Sequence, residues 1–414
     1  MMRHVVFISL FLLLVPLTAG SFPEAPHADT SQAADSLIDI TTNPGDDTAD
    51  RLESYSRLRN VWRFVWFAAE SGALALIVST GLGAWLRRRT ERIPKSLLAL
   101  WAFVAALLLV DYLLKLPLMI YRGYCVELAY GFVNQSFSAW FGRSLLRLGL
   151  LALVAIVPVG LLYWAIRRFR RWWLVFTATI APVMVLLVVL APVVISPLFN
   201  DFETFSDPGL RPRLAALAER AGIEDAAIYE VDASAQSSKV NAYVTGLFGS
   251  KRIVIYDTML DRFTDDEIVF IAAHEIGHYV MDHVWWGVAV AIVYIGLMAW
   301  LIALIVPWLI RRWQHRIGFS ELRDYASLPL ILLTATVLHF FLQPLTHISS
   351  RLMERQADAY AVRMAEVPEG AMVTSYHKLS EINLSDPSPH PAIVFWFYTH
   401  PPLQDRIEVV VASD

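Results

Sequence analysis

Residues 264–283 read TDDEIVFIAAHEIGHYVMDH, and this stretch joins a helix-start signal to two closely spaced histidines. Thr264 and Glu267 form a capping box, which predicts a helix that begins here and continues through the apolar residues that follow. Four-residue spacing places His274 and His278 on one face of that helix, where both imidazoles can bind one Zn²⁺ ion. The stretch therefore predicts a metal-binding helix.

Glu275 follows the first histidine, one step round the helix, and can act as a general base toward an attacking water. A five-residue pattern of this kind arises by chance in roughly one chain in a hundred of this length, so the match by itself is only suggestive. Two helix histidines that bind no metal are the alternative. The capped helix, its hydrophobic flank and the β-rich stretch before it favour a metal site.

A catalytic zinc site usually has a third protein ligand and keeps one position open for water. The chain offers a candidate in SSRLMERQADAYAVRMA at 349–365. Glu354 and Asp358 are four residues apart there and share one helix face. Glu354 can bind the metal, while Asp358 can accept the second N–H of a ligand histidine. By itself the stretch is typical of an amphipathic helix with solvated charges, and only the histidine pair changes that interpretation.

Composition indicates the class of protein around this helix. The 414 residues are 56% hydrophobic and 17% charged, with a mean hydropathy of +0.49 and 14 tryptophans. Soluble domains average about 25% charged residues, so we predict an α-helical polytopic membrane protein. The net charge of −4 supplies no basic face, and we expect no nucleic-acid partner. The single cysteine, Cys125, excludes an intrachain disulfide.

Six apolar stretches are each long enough to cross a bilayer, which takes about 20 helical residues. They lie at about 62–86, 96–120, 145–166, 172–197, 284–310 and 325–348. The chain is therefore predicted to contain four membrane helices at 58–197, a metalloprotease domain at 198–283, two membrane helices at 284–348, and a third-ligand helix with a C-terminal catalytic segment at 349–414.

The N-terminus carries a candidate export signal. Residues 1–20 place a basic residue, an apolar run and small residues in the order of a secretory signal peptide. The run is too short to span a bilayer comfortably, and an uncleaved signal anchor is the alternative. Residues 21–57 are polar and acidic and are predicted to be a flexible segment. Either form of the leader predicts that the segment after it is exported.

Basic residues predict how the helices are oriented. Arginine-rich loops follow the first, third and fifth apolar stretches, so all three lie on the same side of the membrane. The positive-inside rule makes that side cytoplasmic, which puts the metal-binding helix on the periplasmic side of a bacterial inner membrane. The loop residues are Arg87, Arg88, Arg89, Arg92, Lys95, Arg167, Arg168, Arg170, Arg171, Arg311, Arg312, Arg316 and Arg323.

The segment before the metal-binding helix contains β-structure signals. Residues 226–231 are a candidate strand. The stretch NAYVTGLFGSKRIVIYD at 241–257 reads as two strands joined at Gly249 and Ser250, which is a hairpin signal. We therefore expect a small β-sheet beside the helix.

Asp111 and Lys115 lie four residues apart in the second apolar stretch and share a helix face. Charged groups at that depth are expected to face the protein interior or a water-filled cavity rather than lipid. A structural ion pair between helices is the alternative.

Several stretches together resemble the membrane-integrated zinc metalloproteases of the CAAX prenyl protease type, the Ste24-like M48 peptidases. The matching stretches occur in family order over most of the chain, and their combination is highly specific. They are VELAYGFVNQSFSAWFG (126–142), NAYVTG with KRIVIYDTML (241–260), AAHEIGHYVMDH (272–283), SRLMERQAD (350–358) and THPPLQDRI (399–407).

The resemblance implies a gluzincin-like metalloprotease domain joined to membrane helices that enclose a chamber. It implies one zinc ion per chain, with His274, His278 and Glu354 as ligands. It also implies that Glu275 is the catalytic base and that Asp358 supports a ligand histidine.

The resemblance further implies roles for residues whose patterns alone predict little. His400 resembles a histidine that stabilises the tetrahedral oxyanion, and Arg406 would support the site. Asn241 and Ala242 match an edge strand that pairs with extended peptide substrate.

These observations favour a zinc-dependent endopeptidase that hydrolyses peptide bonds of membrane-associated or misfolded proteins. Peptide substrate and the lipid bilayer are its expected partners, and the oligomeric state stays open. A CAAX prenyl protein endopeptidase is one alternative, although the predicted orientation disfavours it because prenylated tails are made in the cytosol. A non-proteolytic membrane protein with a structural zinc is the other.

Overall fold

The computed structural model describes residues 48–246, 251–386 and 388–412, so the leader and most of the segment at 21–57 lie outside the described residues. The first elements are α1 (Thr48–Ser79), α2 (Leu82–Thr90), α3 (Ser96–Ile120), α4 (Phe137–Val154), α5 (Ile156–Arg168), α6 (Trp172–Leu190), β1 (Phe202–Thr204), α7 (Leu210–Arg220), β2 (Ala227–Val231), β3 (Ala242–Thr245) and β4 (Arg252–Tyr256). They are followed by α8 (Asp257–Leu260), α9 (Asp265–Val280), α10 (His283–Ile317), α11 (Leu328–Met364), α12 (Glu369–Ile382), α13 (Pro391–Phe397) and α14 (Leu403–Val411).

Six helical segments of the described chain are long and apolar enough to cross a membrane, and they overlap the six predicted stretches. They are Asp50–Ser79, Ser96–Ala129, Phe137–Arg168, Trp172–Leu198, His283–Ile317 and Tyr325–Met364. Their inner faces form one apolar core, while many leucine and tryptophan side chains on their outer faces stay exposed. Such extensive apolar surface is typical of a membrane interface, and the predicted α-helical polytopic fold is confirmed.

The first apolar stretch does not form the single helix predicted at 62–86. α1 ends at Ser79, and Gly81 takes a φ of 68° before α2 begins. Glycine adopts this left-handed conformation at little cost because it has no Cβ. The chain therefore changes direction at Gly81 and enters α2, which carries the first arginine cluster.

The boundary predicted for the flexible segment, at residue 57, lies too far along the chain. α1 begins at Thr48, so the last part of that segment is helical. Tyr55 is buried there and donates a 2.8 Å hydrogen bond to Glu127 at the end of the second span. This tertiary contact stabilises a turn that the polar composition alone does not predict.

The three arginine-rich loops meet at one end of the bundle. Arg87 pairs with Asp324 at 2.6 Å, and Arg167 donates to the carbonyl oxygen of Arg323 at 3.2 and 3.1 Å. The opposite end joins the second and third spans to the soluble segment, where Asn134 donates to the carbonyl oxygen of Ser234 at 3.1 Å. The predicted grouping of the loops on one side is therefore confirmed.

The charged pair of the second span lies inside the bundle. The Lys115 ammonium contacts the Asp111 carboxylate at 2.5 Å and also the Glu70 carboxylate of α1. The Lys115 and Glu70 side chains are 5% and 4% exposed. Glu70 could not be identified from the sequence, because it lies on a different helix from Asp111 and Lys115. The contact between Lys115 and Glu70 makes the cluster an ion pair between helices.

The soluble domain contains a four-stranded sheet in the order β1-β2-β4-β3. β2 and β4 are parallel, while β1 and β3 are antiparallel to their neighbours. The strand predicted at 226–231 and the pairing within 241–257 are confirmed, although the turn at Gly249 and Ser250 lies outside the described residues. β3 lies at the edge of the sheet and packs near α9.

One helix, α11, belongs to both halves of the molecule. Its first part, including Leu330 and Ala335, packs in the membrane core, while Ala361 near its end packs in the core of the soluble domain. The division predicted between 284–348 and 349–414 therefore falls inside a continuous helix. This continuity holds the third-ligand residues rigidly with respect to the membrane bundle.

We expect Lys115→Met to destabilise the bundle, because it leaves two buried carboxylates without their cation. Breaking a buried ion pair from one side costs about 3–5 kcal/mol. The unfolding midpoint in detergent, followed by tryptophan fluorescence, measures the loss. The matched control Glu70→Gln/Asp111→Asn/Lys115→Met removes all three charges and should recover much of the stability. Equal midpoints for the single and triple variants would contradict this account of the cluster.

Candidate active site

The metal-binding helix α9 begins as the sequence predicts. The Thr264 amide donates to the Glu267 carboxylate at 2.7 Å, and the Glu267 amide donates to the Thr264 hydroxyl at 3.4 Å, which completes the capping box. The ammonium of Lys378 on α12 adds a 2.7 Å ion pair to Glu267. The helix is buried along most of its length, so the cap and the core together determine where its histidines lie.

Gly277 allows α9 to approach α11 closely. A Cβ at this position would lie 3.0 Å from Cδ1 and 3.2 Å from Cβ of Tyr360. Real Cβ atoms are rarely found so near other side chains, so a larger residue would require Tyr360 or the helix to move by a few tenths of an ångström. Ile276, which precedes this glycine, is fully buried. Gly277 permits the close contact between α9 and Tyr360 of α11.

His274, His278 and Glu354 converge at the contact between α9 and α11. The two Nε2 atoms are 3.2 Å apart, and each lies 3.3 Å from a Glu354 carboxylate oxygen. Nitrogen and oxygen ligands at about 2.0–2.2 Å from a tetrahedral ion are about 3.3–3.6 Å from one another. Both the separations and the donor types therefore fit a metal ion of the size of zinc. All three side chains are buried, with Glu354 1% exposed.

The outer nitrogen of His274 is held by Asp358. Nδ1 of His274 lies 2.8 Å from the Asp358 carboxylate, so its N–H is directed away from the metal position and Nε2 is left to face it. Arg406 binds Asp358 through two hydrogen bonds of 2.9 and 2.6 Å, and the Tyr376 hydroxyl donates a third at 2.7 Å. Asp358 and Arg406 thus act as a unit behind the ligand.

Electrostatics in this unit favour a cation at the ligand pair. Burial opposes charge on His274, but its hydrogen bonds to Asp358 and Glu354 outweigh burial and raise its pKa to about 9. Burial likewise opposes charge on Arg406, yet Asp358 raises the pKa of the guanidinium well above its ordinary value. Burial also raises the pKa of Tyr376, which keeps its hydroxyl protonated as a donor. The carboxylates that attract a proton to His274 attract a metal ion in the same way.

The second ligand histidine has its own support. Nδ1 of His278 lies 3.0 Å from Nδ1 of His283, and Nε2 of His283 lies 3.0 Å from Oε1 of Gln356. His283 thus contacts the outer nitrogen of His278 on one side and Gln356 on the other, and this arrangement supports the ligand histidine. Its supporting role was missed, because its partner Gln356 comes from α11.

His400 reaches the site from the C-terminal segment. Its Nε2 lies 3.4 Å from a Glu354 oxygen, and its Nδ1 lies 2.9 Å from the Thr399 hydroxyl. The side chain is 28% exposed, more than the three ligands, so it borders the open side of the site.

Arg351, one turn before Glu354 on α11, holds the segment that leads to His400. Its guanidinium donates to the carbonyl oxygens of Val394 at 3.1 Å and Tyr398 at 2.5 Å. His347 adds a 2.9 Å hydrogen bond with the carbonyl oxygen of Trp396. Sequence reasoning did not identify Arg351, although it lies within the stretch SRLMERQAD that carries part of the family resemblance.

The remaining predicted residues lie on α9 and on β3 beside it. Glu275 is half-buried on α9 between the two ligands, in contrast to the fully buried Ile276. Asn241 accepts a 3.2 Å hydrogen bond from the Tyr256 amide, and Ala242 pairs with Ile255 at the start of β3. Within the described sheet no strand pairs with the outer side of β3, so that side can accept an extended chain.

Comparisons with known proteins concern the family and the fold of the chain. The profile described as peptidase family M48 matches residues 206–413, and the one described as CAAX prenyl protease N-terminal, five membrane helices, matches residues 41–201. The Bacillus subtilis metalloprotease YhfN, itself called uncharacterized, is 31% identical over 358 residues, 86% of this chain and 84% of YhfN. CAAX prenyl protease 1 of Saccharomyces cerevisiae is 28% identical over 329 residues, 74% and 70% of the two chains.

A solved structure shows the same fold. The crystal structure of S. mikatae Ste24p matches with a TM-score of 0.74 at 24% identity, and the match covers 98% of this chain and 97% of that one. The membrane bundle and the soluble domain thus occur together in both proteins.

We expect Asp358→Asn to weaken metal binding by about 10- to 100-fold, because the amide no longer holds His274 and Arg406 as a carboxylate does. Competition with a fluorescent chelator measures the metal affinity. Asp405→Asn is the matched control, since Asp405 is half-exposed on α14 and pairs with Arg355 at 3.3 Å. An unchanged affinity in Asp358→Asn would remove Asp358 from the metal site.

Proposed function

The chain belongs to peptidase family M48, and from this membership we propose that it is a membrane-integrated zinc endopeptidase whose site consists of His274, His278, Glu354 and Glu275. The observation that carries the proposal is the convergence of two imidazoles and one carboxylate at tetrahedral separations beside a half-buried glutamate. Metal hydrolases combine these groups so that one coordination position stays available for water or substrate.

A structural zinc is the competing interpretation, and it usually requires four protein ligands. In the described part of the chain, only His274, His278 and Glu354 form a group of three or more candidate ligands whose ligand atoms all lie within 4.8 Å of one another. The His400 imidazole, whose Nε2 lies 3.4 Å from a Glu354 oxygen, is not part of that group, and His283 faces the outer nitrogen of His278. The ligand set therefore favours an open, catalytic site.

The proposed mechanism assigns a separate task to each side chain. His274, His278 and Glu354 would hold a zinc ion, which would supply Lewis-acid chemistry at the scissile carbonyl and make water more acidic. Glu275 accepts the proton of the attacking water and then delivers it to the leaving amine. His400, at the open side of the site, donates a hydrogen bond to the developing oxyanion. Asp358 and Arg406 hold His274 in the tautomer that the metal requires.

The substrate is proposed to bind as an extended peptide beside β3. Asn241 and Ala242 lie at the start of this edge strand, where main-chain hydrogen bonds can be shared with a peptide of any sequence. A peptide protease with membrane helices is suited to membrane-associated or misfolded proteins. Because several relatives are named CAAX prenyl protease, a prenylated C-terminal tail is a second candidate substrate for this protein.

We propose that the protein lies in a bacterial inner membrane with the site on the periplasmic side. The arginine-rich end, where Arg87 contacts Asp324, would face the cytoplasm under the positive-inside rule. The site lies with the soluble domain, whose segment near Ser234 contacts the opposite end of the bundle. Prenylated proteins of the cytosol would then not reach it, which favours an exported or membrane-embedded substrate.

We expect Glu275→Gln to lower the rate of peptide cleavage by about 10²- to 10⁴-fold, because the amide cannot accept the proton of water. Bound zinc should stay near one equivalent, since the ligands are unchanged. Product analysis by mass spectrometry and metal analysis test the two statements together. Glu408→Gln, on the exposed face of α14, is the control and should retain activity. Normal cleavage by Glu275→Gln would reject the mechanism.

Topology can be tested with reporters at two sites. Alkaline phosphatase fused after the last residue should be active, because the enzyme requires an extracytoplasmic location. The same reporter fused after Arg170, in the loop between α5 and α6, should be inactive, and green fluorescent protein should give the reverse pattern. A fluorescent C-terminal fusion would place the site in the cytoplasm and restore the prenyl substrate.

A further inference from the structure

Arg63 is a cation of the first membrane helix that faces the catalytic segment. Its guanidinium carbon lies 4.9 Å from the ring centre of Phe397 and 5.3 Å from that of Tyr398. These two residues immediately precede Thr399 and His400, which border the metal ligands. Arg63 thus links α1 to the wall of the proposed peptide site.

The guanidinium has no acidic counterpart among the residues that the structure describes. Nη1 of Arg63 is buried without a hydrogen-bond partner there, and the ion pairs of the described chain do not include Arg63. Arg59, one turn earlier on α1, has the same charge and faces Tyr55 instead. Buried charges are normally paired, and an ionisable group inside a membrane bundle usually marks a functional site.

A second donor lies on the same wall. The Tyr398 hydroxyl is also buried without a hydrogen-bond partner in the described structure, and its ring is in contact with Arg63. Phe397 and Tyr398 cover the guanidinium through their ring faces, which stabilise a cation but accept no hydrogen bond in its plane. A planar guanidinium with free donors next to a phenol is suited to bind a carboxylate.

Arg63 and Tyr398 lie within a few residues' reach of the proposed position of the scissile bond. Arg351 holds the Tyr398 carbonyl, and His400 contacts Glu354, so the segment 398–400 lies along α11 toward the ligands. Two residues of chain span at most about 7 Å. A peptide bound at the metal site therefore needs only a few residues to reach Arg63.

We propose that Arg63 and the Tyr398 hydroxyl form a subsite for a carboxylate of the bound peptide. The subsite selects bonds that lie a short distance from an anionic group, either the C-terminal carboxylate or an acidic side chain. This inference rests on the proposed endopeptidase function and adds a specificity determinant to it. Arg63 acts on substrate binding, apart from the proton transfers at Glu275.

Paired peptides test the subsite. One peptide ends in a free carboxylate, its partner ends in a carboxamide, and a third is amidated but carries a glutamate at the corresponding distance. We expect the wild-type protein to cleave the free acid with a kcat/KM about 10- to 100-fold above that of the amide, as for the loss of a charge-assisted hydrogen bond. Cleavage of the third peptide identifies which kind of carboxylate is used.

Variants assign the preference to Arg63. Arg63→Gln should reduce the ratio of acid to amide cleavage to about one through a higher KM for the acid, while cleavage of the amide stays near its wild-type rate. Arg63→Lys, which keeps the charge, should retain part of the preference. Arg57→Gln is the control, because Arg57 lies on the exposed side of α1 and pairs with Glu53.

Measuring peptide binding without cleavage tests the carboxylate subsite independently of the proposed catalytic mechanism. In the Glu275→Gln background, fluorescence anisotropy should show tighter binding of the free acid than of the amide, and adding Arg63→Gln should abolish the difference. Equal loss of both peptides in Arg63→Gln would mean that Arg63 merely supports Phe397 and Tyr398. Equal binding of acid and amide by the parent would overturn the subsite even if cleavage requires Glu275.

Discussion

A carboxylate buried between two imidazoles is the interaction on which the site depends. Glu354 is 1% exposed, and a buried anion is stable only when cationic or hydrogen-bonding partners surround it. His274 and His278 supply those partners at 3.3 Å, and a bound metal ion would supply more. A residue larger than glycine at 277 would crowd Tyr360 of α11, so Gly277 favours the close approach of α9 to α11 on which this compensation depends.

The supporting contacts divide into two parallel sets, one for each ligand histidine. Asp358, with Arg406 and Tyr376, holds His274, while His283 holds His278. Both sets use side chains from outside α9, so the orientation of each imidazole depends on how α11 and the C-terminal helices pack. The site is therefore a product of the whole soluble domain and cannot be reduced to its five-residue motif.

The membrane bundle contributes to the site through α11 and α1. Because α11 runs from the apolar core into the soluble domain, movement of the bundle would be transmitted directly to Glu354. The same helix holds the segment before His400 through Arg351. Arg63 of α1 contacts the same segment at Tyr398. A catalytic centre built in this way is coupled to the helices that contact lipid.

The sequence by itself determined the features that depend on short separations along the chain. The capping box, the shared face of His274 and His278, the paired strands and the six membrane helices all follow from local periodicity, because helix and strand geometry is nearly invariant. The need for a third zinc ligand extended this to Glu354 and Asp358, and the family resemblance added His400 and Arg406. Only the tertiary structure could decide which distant residues meet. Glu70, Tyr376, Gln356, Arg351 and Arg63 come from helices whose mutual position is set by packing across the fold, and no spacing within a single helix encodes that position.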